Sequence, residues 1–156
     1  MNNTMHVIYN LVLSLWIGGI TIFTFIITPV LFRSFSRDMA GTIVGKLFPG
    51  YFWLNLILSV LALMLILFAG LSFVKSGYRL SLVLIVLALI INMYVTFKLH
   101  PDVRRVKQEI HSFEKLADDS PVRKRFGKLH AISASLNLLL LADGISLLII
   151  STVFRK

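Results

Sequence analysis

The chain has 156 residues, of which 57% are hydrophobic and 15% are charged, and it contains no cysteine. Its mean hydropathy of +0.86 is far above that of a soluble domain, so the composition predicts an integral membrane protein. The lack of cysteine excludes disulfides and thiolate metal sites. The net charge of +9 comes without the aromatic interleaving and fold signals of nucleic-acid binding, so we expect no nucleic-acid partner.

Four apolar stretches free of internal Lys and Arg dominate the chain, at 7–32, 50–74, 80–97 and 129–154. A bilayer core requires about 20 apolar residues per helix, and the third stretch reaches that length if Lys98 extends its ammonium to the interface. Only helices can satisfy the backbone in such stretches, because lipid offers no hydrogen bonds. The sequence therefore predicts an all-α integral membrane four-helix bundle, one domain over 1–156, built from two tandem helical hairpins. The expected helices cover about 7–32, 50–74, 79–100 and 121–154.

Basic residues predict the orientation of the bundle. The first and third loops with their flanks carry twelve Lys and Arg, and the opposite side carries four. The positive-inside rule places the richer side in the cytosol. We therefore expect a multi-pass protein of the cell (inner) membrane with both termini non-cytosolic, with the lipid bilayer and anionic lipids at its cytosolic face as partners. The four basic residues of the opposite side are Lys75, Arg79, Arg155 and Lys156.

The cytosolic loops show helix signals of their own. Ser36 is placed to cap a short helix that Pro49 would end. In the third loop, an amphipathic segment over about 102–117 has apolar residues at helical spacing. Ser120 is then the expected cap of the fourth helix, with Pro121 as its first residue.

The two halves of the chain repeat each other. Phe25, Pro29 and Arg33 near the end of the first helix recur with the same spacing as Phe97, Pro101 and Arg105 near the end of the third. A second shared pattern, Gly-Lys-Leu followed by Asn, opens the second and fourth helices at 45–55 and 127–137. The repeats predict two hairpins related by a pseudo-two-fold axis along the membrane normal.

Each predicted helix carries a stripe of small and polar residues on one face. Such stripes either pack helices together at about 0.6 kcal/mol per hydrogen bond or line a polar cavity open to the cytosol. Most of the larger polar groups fall in the cytosolic half of the bundle. The candidate ligand or cavity residues are Thr28, Asn55, Asn92, Thr96, Ser133 and Asn137.

Three ionisable residues stand out. His100 ends the third helix and His130 begins the fourth, so both lie near the cytosolic interface of one hairpin. Their imidazoles could ligate haem b, a copper ion or another divalent metal, relay a proton, or simply bond to carbonyls and lipid headgroups. Asp143 lies near the middle of the fourth helix with no Lys or Arg at its depth, which makes it a candidate proton-binding residue. It points about 140° away from the His130 stripe, so it faces either a second buried side or an oligomer partner.

The ordered motifs resemble one family. The chain is similar to the proteins related to transmembrane protein 205 in five ordered motifs. These are Leu15-Trp16-Ile17-Gly18-Gly19, the Pro29-to-Arg33 segment, the Gly- and Pro-containing segment over 40–52, His100-Pro101, and Leu129-His130-x2-Ser133-x3-Asn137. The resemblance implies a four-helix membrane protein of undefined activity, associated in vertebrates with resistance to platinum drugs. A remoter similarity, in architecture and in the first helix, is to copper-resistance membrane proteins and membrane protoporphyrinogen oxidases, which use histidines for copper or haem.

Three hypotheses of function follow. The first is a non-enzymatic membrane protein with a cytosol-facing polar site for a small ligand, metal or haem, linked to transport or tolerance. The second is an interaction or scaffold subunit, in which the polar stripes only join helices and the partners are a membrane complex or another copy of the chain. The third is a haem-dependent oxidoreductase. No nucleophile–base pair or phosphate loop supports a hydrolase or kinase.

Overall fold

The computed structural model describes residues 2–68, 75–110, 112–117 and 119–154. Within these ranges, four helices are long and apolar enough to cross a membrane, so the protein is an all-α, multi-pass membrane bundle of two hairpins, as predicted. We call them spans 1 to 4. Span 1 comprises α1 (Asn2–Ile22), a π-helical segment (Phe23–Ile27) and α2 (Thr28–Ser34); span 2 is α3 (Arg37–Phe68); span 3 comprises α4 (Lys75–Tyr94), a second π-helical segment (Val95–Leu99) and α5 (His100–Gln108); and span 4 is α6 (Pro121–Val153).

Both π-helical segments are explained by the proline that follows each of them. Proline has no N–H to donate, and its ring collides with the carbonyl four residues earlier. The helix accommodates Pro29 with a wider turn in which the Thr28 N–H bonds the Phe23 carbonyl, and the Thr28 hydroxyl donates to the same oxygen at 2.9 Å. In span 3 the His100 N–H bonds the Val95 carbonyl in the same way before Pro101. The equivalent placement of the two segments supports the predicted internal repeat.

Span 2 starts earlier than the sequence indicated. Ser36 acts as the expected cap, because its Oγ accepts a hydrogen bond from the Met39 N–H at 3.3 Å. Pro49, however, lies inside α3 and does not end a separate short helix, so that prediction was wrong. Aromatic packing holds the helix together across the proline, since the rings of Phe48 and Phe52 stack with centroids 5.3 Å apart. The predicted end of this helix at 74 falls outside the described residues.

Span 3 also continues further than expected. The amphipathic segment predicted over about 102–117 is helical only to Gln108, in direct continuation of span 3, and 112–117 forms turns. The cause is again the π-helical turn, which lets the helix run through Pro101. Span 4 begins at Pro121, where the Ser120 side chain accepts from the Arg123 N–H at 3.4 Å, as predicted.

The bundle core is built on one face of α1. Tyr9, Leu13, Trp16 and Ile20 recur at helical spacing and are all fully buried. The opposite faces of the spans expose mainly Leu, Ile, Val and Phe, as contact with lipid requires. We call the end that carries the α2–α3 and α5–α6 connections the loop end, and the end that carries both chain termini the terminal end.

Candidate functional site

A cavity of ≈ 330 Å³ lies at the loop end between the ends of spans 1 to 4 and the 112–117 segment. Its wall combines aromatic rings and glycines with basic groups, and no Asp or Glu is among the described residues that line it. Thr28, His100 and His130 from the predicted site belong to this wall. The full lining is Thr28, Phe32, Arg37, Gly41, Val44, Gly45, Phe48, His100, Val103, Arg104, Lys107, Phe113, Arg123, Phe126, Gly127 and His130.

The two histidines contact aromatic rings at the cavity. His100 is half-buried, with its ring centroid 5.9 Å from that of Phe48 and 5.1 Å from that of Phe52. His130 is exposed and stacks on Phe126 at 5.9 Å, with only 7° between the ring planes. Spans 3 and 4 therefore bring both imidazoles to one cavity.

Two of the four cations in the wall are engaged with backbone carbonyls. Lys107 donates to the carbonyl of Gly41, and a Cβ at Gly41 or Gly45 would lie 3.4 or 3.3 Å from its Nζ. The glycine pair, four residues apart on one face of α3, thus leaves room for the lysine. Arg123 Nη1 donates to the carbonyls of Phe113 at 3.1 Å and Leu116 at 2.6 Å.

The other two cations are available for a ligand. Arg37 and Arg104 have exposed side chains, and neither forms an ion pair or a side-chain hydrogen bond with a described residue. A guanidinium presents a planar fork of N–H donors that matches carboxylate and phosphate groups. The cavity therefore has the chemistry of an anion site with apolar walls.

Asp38 attaches the 112–117 segment to the cavity wall. Its carboxylate accepts from the Ser112 hydroxyl at 2.6 Å and from the Phe113 N–H at 2.7 Å. Phe113 then packs edge-on against Phe126, with ring centroids 4.9 Å apart. The first turn of α3 and the start of α6 together hold this segment over the cavity.

Asn137 joins three spans in a region that does not line the cavity. Its Oδ1 accepts from the Tyr51 hydroxyl, and its Nδ2 donates to the Thr24 hydroxyl at 2.7 Å. Asn55, one turn from Tyr51 on α3, donates to the Tyr51 carbonyl at 3.0 Å. These contacts are those of helix packing.

The remaining predicted residues are also absent from the cavity wall. Asn92 is 2% exposed, and neither its Nδ2 nor the Thr96 hydroxyl finds a hydrogen-bond partner among the described residues. Ser133 is half-buried on α6. Asp143 is 7% exposed, so it faces the interior of its own bundle, which decides between the two placements that the sequence left open.

Several side chains of the cavity wall were missed at the sequence level. The basic residues of the loops were assigned to orientation and lipid contacts, whereas Arg37, Lys107 and Arg123 form part of one cavity wall. The Gly41-x3-Gly45 spacing was the available signal, because two glycines on one helix face allow another chain to approach closely. No group of three or more His, Asp or Glu that could hold a metal ion occurs in the part of the chain that the structure describes.

Comparisons with known proteins give the chain a family without an activity. A family model described as "Domain of unknown function (DUF4149)" matches residues 11–112. An uncharacterized protein of Aquifex aeolicus (strain VF5) is 33% identical over 129 residues, which cover 83% of each chain. Solved structures contain no significant match. With most of its length matched by that model, the chain belongs to the DUF4149 family.

Proposed function

We propose that the protein binds a small anionic ligand with an apolar body in the loop-end cavity, and that this cavity opens to the cytosol. The observation that carries the proposal is the cavity wall itself: two free guanidiniums and two imidazoles beside phenylalanine rings, with no carboxylate among the lining residues. Small-molecule sites are typically apolar clefts with a few placed polar groups, and the cavity volume lies at the lower end of their range.

The position of the cavity along the bundle supports access from water and from the bilayer interface. The spans are 32 to 34 residues long, hence about 50 Å at 1.5 Å per residue, whereas the hydrocarbon core is about 30 Å thick. The cavity-lining part of α3 precedes the long uncharged run of span 2 and therefore extends beyond the hydrocarbon. A ligand with a charged head and an apolar body could enter there.

The cytosolic orientation rests on the charge bias of the loops and can be tested directly, because the chain has no cysteine. A cysteine introduced at Ser112 should be shielded from a membrane-impermeant thiol reagent in intact cells. A cysteine at Ser76, which is exposed at the terminal end, should react. Labelling of Ser112 alone would place the cavity on the non-cytosolic side and overturn this part of the proposal.

Ligand binding is tested with purified protein in phosphatidylcholine nanodiscs and 1-naphthyl phosphate as probe. We expect saturable binding that exceeds the binding of both 1-naphthol and inorganic phosphate, since the site offers both charge and rings. Arg37→Gln and Arg104→Gln should each weaken it roughly tenfold, the value of one charge-assisted hydrogen bond. Arg105→Gln is the matched control, because Arg105 is exposed, does not line the cavity and lies 3.9 Å from Asp102. Equal binding by all four proteins would overturn the proposal.

Haem is a second candidate occupant, because His100 and His130 line the same cavity. One or two protein side chains are enough to hold a haem iron, whereas protein zinc sites usually need three or four, so the described residues fit haem better than a bare metal ion. The two imidazoles would ligate it and Arg104 would lie toward its propionates; bound haem would supply one-electron chemistry. The resemblance to proteins related to transmembrane protein 205, and the remoter one to haem- and copper-binding proteins, stay predictions.

A titration with ferric protoporphyrin IX separates the candidates. A haem site predicts a saturable Soret shift at one equivalent that His100→Ala and His130→Ala each abolish, with the double variant no worse than either single one. A spectrum unchanged by both substitutions would remove haem. If naphthyl phosphate also fails to bind, the remaining hypothesis is an interaction subunit of a membrane complex or a homo-oligomer.

A further inference from the structure

Asp143 is isolated from every other acidic residue of the chain. It lies on α6 at 7% exposure, about 9 Å beyond Asn137 along the helix at 1.5 Å per residue. The other acidic residues belong to the loop-end part of the sequence: Asp38, Asp102, Glu109, Glu114, Asp118 and Asp119.

The carboxyl of Asp143 has no hydrogen-bond partner in the part of the chain that the structure describes. Both of its oxygens are buried without a hydrogen bond from any described residue. The adjacent Gly144 packs so closely against α1 that a Cβ there would lie 3.1 Å from Ile17 Cγ1. The flanking Leu140 and Leu147 are buried core residues, so the surroundings are mainly hydrocarbon.

Among the described residues, no cation contributes to the electrostatic surroundings of Asp143. On α1 the titratable groups facing the interior are His6 and Tyr9, both buried, and Tyr9 is within electrostatic range of the carboxyl. On α4, Lys75, Tyr78 and Arg79 lie in the first turns at the terminal end and Tyr94 is the last residue, with no titratable residue between Arg79 and Tyr94. The second π-helical segment and α5 contribute Lys98, His100, Asp102, Arg104, Arg105 and Lys107, all toward the loop end.

An unpaired carboxylate in such surroundings is far more costly than a neutral carboxylic acid. A bound alkali ion would need several oxygen ligands, and the groups next to Asp143 are mostly hydrocarbon. We propose that Asp143 is a reversible proton-binding site in the interface between α1 and α6, separate from the loop-end cavity. Loss of the proton would place a charge between two closely packed helices, so protonation controls how tightly they pack.

Infrared spectroscopy of the wild-type protein tests the protonated state. Asp143 is the one buried acidic side chain among the described residues, so a protonated carboxyl C=O band should come from it. We expect this band at pH 7, its loss in Asp143→Asn, and its displacement in Asp143→Glu, which also covers the case that the amide variant fails to fold. No band in the wild type, or a band that survives Asp143→Asn, would overturn the proposal.

Reversibility and the identity of the ligand need a second measurement. Raising the pH should remove the band and lower the thermal midpoint of the wild type, and a return to pH 7 should restore both. The thermal midpoint of Asp143→Asn should not change over the same pH interval. The midpoint of Tyr9→Phe should fall with rising pH as that of the wild type does, because ionisation of the Tyr9 phenol does not cause the fall. A band that persists until the protein unfolds, or a midpoint at pH 7 that depends on sodium against choline, would refute a reversible proton site.

Discussion

The loop end and the terminal end of the bundle handle buried polar groups differently. At the loop end, polar side chains bond across segments: Asp38 holds Ser112 and Phe113, and Asn137 holds Tyr51 and Thr24. At the terminal end, the bond from the Ser151 hydroxyl to Asn10 at 2.5 Å accompanies close packing of glycines and apolar side chains. Deeper in the bundle than that bond, Asp143 is buried without a hydrogen-bond partner among the described residues.

The difference follows from where water can reach. The spans exceed the hydrocarbon thickness, and the basic cavity occupies the excess at the loop end, where a charged ligand could be held between solvent and lipid. Deeper polar groups must be satisfied within the protein, be neutral, or remain costly. The two ends should therefore respond to different substitutions: the terminal end to added volume, the loop end to lost hydrogen bonds.

Gly77→Ala should have the largest effect and tests packing at the terminal end. A Cβ at Gly77 would lie 2.5 Å from Phe154 Cβ, too close without a shift of the chain. Overpacking of this kind costs about 1–3 kcal/mol. Unfolding of the purified protein in mixed micelles, driven by added dodecyl sulfate, measures it. The control is Gly127→Ala at the loop end, where a Cβ meets nothing within 4 Å; an equal loss there would remove the contrast in packing.

Asp38→Ala should release the 112–117 segment while leaving the spans folded. Two hydrogen bonds to the carboxylate are lost, so amide exchange in that segment should accelerate roughly tenfold or more. Hydrogen exchange read by mass spectrometry gives the answer peptide by peptide. Asp119→Ala serves as control, because Asp119 is exposed and makes no side-chain hydrogen bond to a described residue. Unchanged exchange in Asp38→Ala would mean that the hydrogen bonds from Arg123 and the aromatic packing of Phe113 are enough to hold the segment.

Asn137→Leu should cost stability without affecting the cavity. The substitution removes the hydrogen bonds that Asn137 makes with the Tyr51 and Thr24 hydroxyls, and at about 0.6 kcal/mol per membrane hydrogen bond the loss is on the order of 1 kcal/mol. Binding of 1-naphthyl phosphate should persist, since Asn137 is not part of the cavity lining. The same micelle titration and binding assay measure both. Lost binding in a stable variant would instead make Asn137 part of the ligand site.

The sequence was informative about periodic features and weak on contacts between distant residues. Uncharged length predicted the four spans, and the predicted helix ends placed His100 and His130 near one end of the bundle, where both line the cavity. Pro49 and Pro101 were misleading as helix ends, because aromatic packing and a π-helical turn carry the helices through them. The cavity wall could not be predicted, since Arg37, Lys107 and Arg123 come from three separate segments that only folding brings together.

Asn92→Leu should have the smallest effect and gives the sharpest contrast with Asn137→Leu. Asn92 is the more buried of the two asparagines, at 2% exposed, yet its Nδ2 has no partner among the described residues. Replacing it with Leu removes an unsatisfied donor at similar volume, so the free energy of unfolding should change by less than about 0.5 kcal/mol or rise.

Side-by-side unfolding of the two variants decides whether bonding or burial sets the value of a polar residue inside this bundle. If hydrogen bonding sets the value, Asn137→Leu is the destabilised variant although Asn92 is the more deeply buried. Asp143 is then, like Asn92, a buried polar residue that adds no stability through hydrogen bonds. A cost for Asn92→Leu as large as that for Asn137→Leu would show that burial at this depth is what matters. The contrast between a bonded loop end and an unbonded interior would then fail.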